Sequence, residues 1–347
     1  MEKMTSRIKE LARCLGASAV GIATTETLAG GPPSVDLSYV LPGAKSAVSF
    51  LVPLNQSYIE PYLQKKDRHS HETDNVRANT LSTGISFEVA SYLTQKGHPS
   101  VGQTANIVYR TDTPNGPFDE KPLISHRYLA VRSGIGYFGL SGNVITNENG
   151  AAVILGSLVT TAALIPTEPL PPEKNYCDNC RLCIASCASD YMNPDEETVV
   201  RMGDVDFSYS ARRHHSRCDY VCGGFTGLHK SGKWSTWSPA RFPIPDKDED
   251  FLPALMNAAE SYKTRPREEG GFFHFLMPGN RISLTCGNCT LICHPDKEVR
   301  KRRHKMLIKS GVVIQRPDGS CEAVSPEEAE RRLKDMSCEQ RALYEKV

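Results

Sequence analysis

Apolar residues recur with helical spacing at the start of the chain and then give way to short strand-like runs. Ser6 is placed to cap a helix whose apolar face is formed by Ile8, Leu11 and Leu15, and Gly16 follows as its stop. The apolar runs SAVGIAT and AKSAVSFLVPL are typical of strands. A helix followed by two strands predicts a domain of α/β or α+β class.

The same patterning predicts elements further along the chain. The segment NTLSTGISFEVASYLTQKGH has helical spacing through Ile85, Val89 and Leu93, and ANIVYRTDT reads as a strand. The most apolar stretch, residues 150–166, is interrupted by threonine, serine and glycine. It falls short of the roughly 20 apolar residues that a spanning helix needs, so we predict core strand and turn there and no membrane span. SPEEAERRL, with its serine cap and following proline, predicts the last helix.

A proline-rich segment, PTEPLPPE at residues 166–173, is typical of a stiff connector and marks a predicted domain boundary. We therefore predict a first domain over residues 1–165 and a cysteine-rich domain over residues 166–300. The second domain contains a long polar and aromatic insertion, at about residues 223–275, that ends with Phe272, Phe273 and Phe275. Residues 301–347 are predicted to form a helical tail.

Composition narrows the class of protein. Lys and Arg number 41 and Asp and Glu number 40 in 347 residues, so no global charge indicates nucleic-acid binding. The first residues are amphipathic and have neither an apolar core nor a twin arginine, which argues against an export signal. The expected location is the cytoplasm.

The cysteines carry the clearest chemistry. There are 12, seven of them in two tight runs, and this spacing in a reducing compartment favours metal over disulfides. The first run, CDNCRLCIASC, reads C-x2-C-x2-C-x3-C, which is the spacing of bacterial ferredoxins. Zinc is the alternative, but zinc ribbons separate their two C-x2-C pairs by a longer arm. We predict iron–sulfur clusters.

The second run, CGNCTLICHP, supplies only three cysteines. In two-cluster ferredoxins the last cysteine of each run binds the other cluster, which explains the longer x3 gap. The missing eighth ligand must then come from Cys218 or Cys222, in SRCDYVCGG. The first predicted [4Fe-4S] cluster is bound by Cys177, Cys180, Cys183 and Cys293. The second is bound by Cys187, Cys286, Cys289 and either Cys218 or Cys222.

Three glycines in RSGIGYFGLSG have two interpretations. Gly134, Gly136 and Gly139 either form turns or let the backbone approach a flat, bulky ligand. Two clusters form a path for electrons, and about 170 residues precede them, so the first domain is expected to hold the electron acceptor: a flavin, a corrinoid or a substrate.

The chain resembles the cobalamin-dependent iron–sulfur reductase superfamily of epoxyqueuosine reductases and reductive dehalogenases. The resemblance lies in IKELARCLGASAVGIA, AKSAVSFLVPL, HRYLAVRSGIGYFGLSGNVITNENGAAVILGSLVTT and the cysteine pair with its preceding GNRI. It covers residues 1 to about 300. ARRHHSRCDY resembles the basic stretch and cysteine–x–tyrosine neighbourhood of epoxyqueuosine reductases, and this resemblance favours Cys218 over Cys222 as the eighth ligand. The resemblance implies an α+β chain, in which a nitroreductase-like α/β domain that binds base-off cobalamin is followed by a two-cluster ferredoxin-like domain.

The resemblance also implies roles for individual residues. Gly134, Gly136, Tyr137 and Gly139 would contact the corrin. Asp119, beside Glu120, matches the family's proton donor with a shift of one residue, and Arg127 matches an arginine of the site. An external low-potential donor of ferredoxin or flavodoxin type would supply electrons for the reductive cleavage of a small molecule or nucleoside.

Two departures from the family bear on the substrate. Leu140 stands where the family has a lysine, and a long insertion replaces the helical repeats that many epoxyqueuosine reductases use to hold tRNA. His69 and His71, in KKDRHSHE, either line the pocket and touch the cofactor's side chains or lie in a solvated loop, and we favour the loop. The near-neutral charge argues against tRNA without excluding it. Two other functions stay open: an electron-transfer protein that reactivates a partner's corrinoid, and a flavin-containing iron–sulfur reductase.

Overall fold

The computed structural model describes residues 1–106, 108–273 and 279–346, and it mixes helices with strands. The helices are α1 (Glu2–Cys14), α2 (Ile59–Leu63), α3 (His69–Gln95), α4 (His126–Arg132), α5 (Leu182–Ala185), α6 (Ser216–Cys222), α7 (Phe251–Thr264), α8 (Asn288–Ile292), α9 (Lys297–Ile308), α10 (Pro326–Lys334) and α11 (Cys338–Arg341). The strands are β1 (Ala19–Thr24), β2 (Ser46–Pro53), β3 (Ser100–Gly102), β4 (Tyr137–Phe138), β5 (Val144–Ile145), β6 (Val153–Thr160), β7 (Met192–Met202), β8 (Val205–Arg212), β9 (Phe272–Phe273), β10 (Arg281–Ile282), β11 (Val312–Gln315) and β12 (Cys321–Val324).

The chain folds into two compact units, each of which takes in several separate stretches of sequence. The first unit comprises residues 1–54, 75–179 and 196–210, and the second comprises residues 55–74, 180–195 and 211–347. The mixture of helix and strand confirms the predicted broad class. The predicted domain limits and their nitroreductase-like and ferredoxin-like character stay predictions.

The first unit is built on a four-stranded antiparallel sheet with the strand order β1-β2-β6-β3. Seven of the eight residues of β2 are buried, because this strand lies inside the sheet and is covered by α4 on one face. Ser125 caps α4 by accepting a hydrogen bond from the backbone N–H of Tyr128. The two strands predicted from SAVGIAT and AKSAVSFLVPL are therefore confirmed as β1 and β2.

Three local predictions were wrong. Helix α1 begins at Glu2, so Ser6 lies inside it and is not its cap. Helix α3 begins at His69, which places both histidines of the predicted loop in a helix and buries His71. In the described part of residues 105–113 the only strand-like pairing is a bridge between Tyr109 and Pro122. The position beside β6 is taken by β3 instead.

The second unit has its own core, and the predicted insertion supplies much of it. Tyr220 packs with Phe225, Phe251 and Ile282, and α7 adds further apolar side chains. Phe275 lies outside the described residues. Since the segment carries so many buried side chains, the structure gives it a role in the core of the unit.

The tail is only partly helical, because the β11–β12 hairpin separates α9 from α10. Ser325 caps α10, as predicted, by accepting a hydrogen bond from the N–H of Glu328. Among the residues that the structure describes, no helix combines the length and the apolar character that crossing a bilayer requires.

Candidate metal centre

The C-x2-C gaps share an unusual backbone conformation. Asn179 and Arg181, one in each gap of the first run, have φ values of 55° and 59°, and Gly287 in the second run has a φ of 101°. Left-handed backbone is costly for residues other than glycine, so it persists only where the surrounding structure demands it. A left-handed residue turns the chain sharply, as a loop that wraps a compact cluster must do.

Two short helices of the second unit carry cysteines in matching positions. Cys183 lies in α5 and Cys289 lies in α8, and each helix ends close to the last cysteine of its run, Cys187 or Cys293. The two helices pack against each other, and α9 packs against both. Arg303 of α9 fixes this arrangement by donating a 3.0 Å hydrogen bond to the carbonyl of Leu291.

Several cysteine sulfurs accept backbone hydrogen bonds. The N–H of Leu140 donates to Cys177 Sγ at 3.3 Å, and the N–H of Tyr191 donates to Cys187 Sγ at 3.4 Å. The N–H groups of Gly287 and Asn288 stabilise the thiolate of Cys286, which helps to lower its pKa after the larger effect of the Cys222 thiol. N–H···S bonds of this kind favour deprotonated sulfur, which is the form that binds iron.

Five cysteines of the second unit form what we call the second-cluster set. Its members are Cys187, Cys218, Cys222, Cys286 and Cys289. The Sγ atoms of Cys218 and Cys222 lie 3.6 Å apart in α6. The thiol of Cys222 also contacts Cys286. Its hydrogen bonds to the sulfurs of Cys218 and Cys286, and then its burial, raise the pKa of Cys222. The same hydrogen bond with Cys222 lowers the pKa of Cys218.

The structure thus brings both candidates for the eighth ligand to the same place. A Cys218 thiolate acts electrostatically on Cys187 and Cys286, so it lies within range of two other members of the set. Burial is the largest cause of the raised pKa of the Cys187 thiol. The soft thiolates, their grouping and their N–H···S bonds fit an iron–sulfur cluster. The ligand sets stay predictions.

A buried scaffold that the sequence did not reveal holds the segment of residues 283–286, which leads from β10 to Cys286. The hydroxyl of Tyr62 donates to the carbonyls of Leu284, at 3.2 Å, and Cys286, at 2.8 Å. Glu72 accepts from the N–H of Leu284 at 2.7 Å and from the N–H of Gly271 at 3.0 Å. These contacts fix the backbone on which the cysteine is carried.

Arg68 holds Glu72 in place. It lies 2.8 Å from Glu72 and 2.9 Å from Glu268, and the side chains of Arg68 and Glu72 are 4% and 5% exposed. Arg68 directly precedes α3 and Glu72 lies in its first turn; their i,i+4 spacing was the sequence signal for this pair, although it is common on solvated helices as well. Two carboxylates around one buried guanidinium form a network whose disruption would leave a charge without compensation.

Trp237, in the predicted insertion, also contacts this segment and its scaffold. The backbone N–H of Trp237 donates to the carbonyl of Thr285 at 2.8 Å, and its indole N–H donates to the carbonyl of Tyr62 at 3.0 Å. Thr285 Oγ1 in turn donates to the carbonyls of Val221 and Cys222. The segment before Cys286 is thereby tied to α6, which carries Cys218 and Cys222.

Lys65 is a second buried cation of this region. It has a left-handed φ of 58°, and its Nζ has no hydrogen-bond partner among the described residues. It lies 5.7 Å from the centre of the Trp237 ring. Burial lowers the pKa of Lys65 to about 7, and the negative charge of Cys286 opposes that change.

Arg127, predicted as a site residue of the first unit, is enclosed by aromatic rings. Its guanidinium lies 5.4 Å from the ring centres of Tyr128 and Tyr209 and 5.7 Å from that of Phe138. It donates a 2.7 Å hydrogen bond to the carbonyl of Gly142. This environment orients the side chain firmly, and its part in a reaction stays a prediction.

At each of the three predicted cofactor glycines, contacts within the protein already explain why the residue is glycine. Gly134 has a φ of 70°, and a Cβ there would overlap the carbonyl oxygen of Glu168. A Cβ on Gly136 would lie 2.6 Å from the carbonyl oxygen of Ile145, and one on Gly139 would lie 3.1 Å from the Ile145 side chain. Tyr137 is buried in β4. The close approach is made by the protein itself, so the corrin contact predicted for all four residues rests on the resemblance alone.

Asp119 lies in a short 3-10 turn. Its carboxylate accepts hydrogen bonds from the backbone N–H and the side-chain amide of Asn115, at 3.0 and 2.8 Å. The neighbouring Glu120 is buried and has a φ of 51°. These contacts close a turn, and the proton-donor role of Asp119 stays a prediction.

No protein-family model matches the chain. An epoxyqueuosine reductase of Gloeobacter violaceus is 28% identical over 218 residues, which cover 54% of this chain and 60% of that protein. The chain therefore spans less than two thirds of the length of this relative.

Two solved structures match parts of the chain at low sequence identity. One is a reductive dehalogenase whose structure suggests a mechanism for B12-dependent dehalogenation. The match covers 74% of this chain and 34% of the dehalogenase chain, with a TM-score of 0.49 and 16% sequence identity. The other is an epoxyqueuosine reductase with a modified tRNA stem loop. The match covers 88% of this chain and 81% of the reductase chain, with a TM-score of 0.40 and 15% sequence identity. The sequence similarity to epoxyqueuosine reductases confirms the resemblance drawn from the motifs of the chain.

Proposed function

We propose that the chain is an oxidoreductase in which two [4Fe-4S] clusters carry electrons from an external low-potential donor to a cobalamin, for the reductive cleavage of a substrate. The single observation that supports this most strongly is the second-cluster set, in which the thiol of Cys222 contacts those of Cys218 and Cys286 and backbone N–H groups donate to cysteine sulfurs. The sequence relatives are named reductases, which agrees with this class.

The protein's part in electron transfer is to hold deprotonated sulfur in a dry, fixed place. The N–H groups that point at Cys286 and Cys187 stabilise negative charge on sulfur, and each such hydrogen bond also raises the reduction potential of a bound cluster. In our proposal Cys218 is the eighth ligand. Cys222 then lies beside the cluster and donates its S–H to the neighbouring sulfurs.

Cobalamin, when bound, supplies a low-potential cobalt that cleaves carbon–oxygen or carbon–halogen bonds. Our assignment of this cofactor to the first unit rests on the resemblance. In that assignment the guanidinium of Arg127, fixed by Gly142 and three rings, orients an anionic or carbonyl group of the substrate. Asp119 holds the proton that the cleaved product takes up.

We propose a small molecule or a modified nucleoside as the substrate. The relatives are named for epoxyqueuosine, and one similar structure contains a tRNA stem loop. Turnover of free nucleoside, tRNA stem loop and an aryl halide can be compared directly under the same reducing system. We expect activity on the epoxide or halide as a small molecule, and activity confined to tRNA would contradict that part of the proposal.

An anaerobic reconstitution tests the cofactors. Chemical analysis is expected to give about eight irons and eight sulfides per chain, as two [4Fe-4S] clusters require. Added cobalamin is expected to show the spectral shift of the base-off form. About four irons per chain would refute the second cluster, and a bound flavin without any cobalamin shift would refute the cobalamin assignment.

A further inference from the structure

A cavity of about 450 Å³ lies within the second unit, and four basic side chains line it. They are Lys263, Arg265, Arg267 and Arg281. The one acidic lining residue, Glu268, forms a 2.9 Å ion pair with the buried Arg68, so much of its charge is already offset. The cavity is therefore strongly electropositive, although the chain as a whole carries a formal charge of only +1.

Arg265 is the residue on which the cavity is built. It is 7% exposed, and its Nε and Nη1 donate to the carbonyls of Leu343, at 2.8 Å, and Gly224, at 3.2 Å. Its Nη2 is buried and has no hydrogen-bond partner within the described ranges. A buried guanidinium donor without an acceptor is costly, and an oxyanion in the cavity would remove that cost.

The rings around Arg265 limit how it can move. Its guanidinium lies 5.3 Å from the Tyr262 ring centre and 5.5 Å from that of Tyr344. Together with the two carbonyls, these rings hold the fork of the guanidinium in one orientation. A donor fixed in this way is suited to bind a phosphate group.

We propose that this cavity binds the phosphate group of a small molecule of nucleotide size. Its volume falls within the range of about 300 to 1,000 Å³ that is typical of ligand pockets, which is more than a bare phosphate needs. Tyr262 and Phe273 contribute aromatic surface to the lining, and Arg281 lies 5.3 Å from the Phe273 ring centre. These groups give a flat ring a surface on which to stack. The proposal does not depend on the function proposed above.

Calorimetric titration of the whole, cluster-loaded protein with inorganic phosphate and with AMP tests the proposal. We expect both to bind, and AMP to bind more tightly because its ring adds contacts. In the double variant Arg267→Ala with Arg281→Ala, whose side chains are exposed, we expect binding to weaken by about tenfold or more. Arg331→Ala, an exposed arginine of α10 that does not line the cavity, is the matched control and should leave binding unchanged.

Arg265→Lys tests the central donor. It keeps the charge but removes the fork, so we expect phosphate binding to weaken while the iron content stays as in the unaltered protein. Absence of binding at millimolar phosphate and AMP would overturn the proposal, as would binding that persists undiminished in the double variant. Equal affinity for AMP and phosphate would refute the nucleotide-sized ligand and leave an inorganic anion site.

Discussion

The second-cluster set and the glycine segment, residues 134–139 after α4, were both predicted from the sequence as cofactor sites, yet the structure supports the two predictions differently. The cysteines converge, and backbone N–H groups point at their sulfurs. The glycines Gly134 and Gly136 converge on the protein's own carbonyls. A run of cysteines at this spacing is compatible with few kinds of binding site. A glycine is required equally where a ligand approaches the backbone and where another part of the backbone does.

The comparison also shows where support for a site comes from. The second-cluster set depends on Tyr62, Arg68 and Glu72, which lie more than 200 positions before Cys286 in the sequence. The glycine segment depends on near neighbours along the chain, such as Ile145 and Glu168. Local patterns predict the second kind of support better than the first.

The largest expected effect comes from the cysteines. We expect Cys218→Ser to remove about half of the iron, because it leaves the second cluster one ligand short, and Cys222→Ser to lose much less. Iron analysis and electron paramagnetic resonance of the reduced protein give the measurement. Cys14→Ser, an exposed cysteine of α1, is the control and should keep all of its iron. Equal iron loss in the two variants would show that our choice of Cys218 is wrong.

Removal of the buried arginine should come next. Arg68→Met leaves Glu72 and Glu268 buried without their counter-charge, and we expect the free energy of unfolding to fall by about 3 to 5 kcal/mol. Arg331→Met, whose side chain is 61% exposed, should cost no more than about 1 kcal/mol. Denaturant unfolding measures both. If the two variants were equally stable, the scaffold before Cys286 would not be held by this network.

Gly134→Ala should have a somewhat smaller effect. The new Cβ overlaps the carbonyl of Glu168 in a left-handed backbone, so we expect a loss of about 2 to 4 kcal/mol. Gly43→Ala is the matched control, since Gly43 has a φ of 78° but nothing within 4 Å of the added carbon. It should lose only about 1 to 2 kcal/mol. A Gly134→Ala protein of unchanged stability that no longer bound cobalamin would reverse our interpretation of the segment.

The smallest effect is a pH dependence. Burial lowers the pKa of His71, whose ring lies 4.5 Å from that of Tyr62, to about 4. The folded protein therefore resists a proton that the unfolded chain accepts near pH 6.5, so stability is full above that pH and falls as the pH drops towards 4. We expect His71 to account for about 1 to 3 kcal/mol of that loss.

Thermal unfolding between pH 7 and pH 5 measures this effect. In His71→Gln, which cannot take up a proton, the loss of stability over that range should be smaller than in the unaltered protein. His69→Gln, an exposed histidine of the same helix, should leave the pH dependence as it is. Parallel curves for His71→Gln and the unaltered protein would show that His71 does not titrate as inferred.

Elements with strong local patterns were predictable. The apolar run AKSAVSFLVPL identified β2, and the serine and proline of SPEEAERRL identified α10. The strand predicted at residues 105–113 was wrong because Arg110 bonds instead to the carbonyls of Lys121, Pro122 and Leu123 in a loop. Its residue types suit a strand, but tertiary contacts outweighed that preference.

In the candidate site, too, some residues could be predicted from the sequence and others could not. The cysteines could be found from their spacing, but the buried scaffold could not, because Arg68 and Glu72 have the composition of a solvated helix. His71 was missed for the same reason: a polar run such as DRHSHE does not reveal that one of its faces is buried. Only the long-range pairing with Leu284 and Gly271 makes that face part of the core.

The left-handed Arg181 has a consequence for the sequences that this fold can accept. At a φ of 59° a β-branched side chain clashes with its own backbone, whereas glycine and asparagine fit with little penalty. A saturation library at this codon should therefore retain glycine and asparagine and reject isoleucine, valine and threonine, even though the side chain binds no metal. Selection on the first cysteine run would act on backbone shape as well as on sulfur.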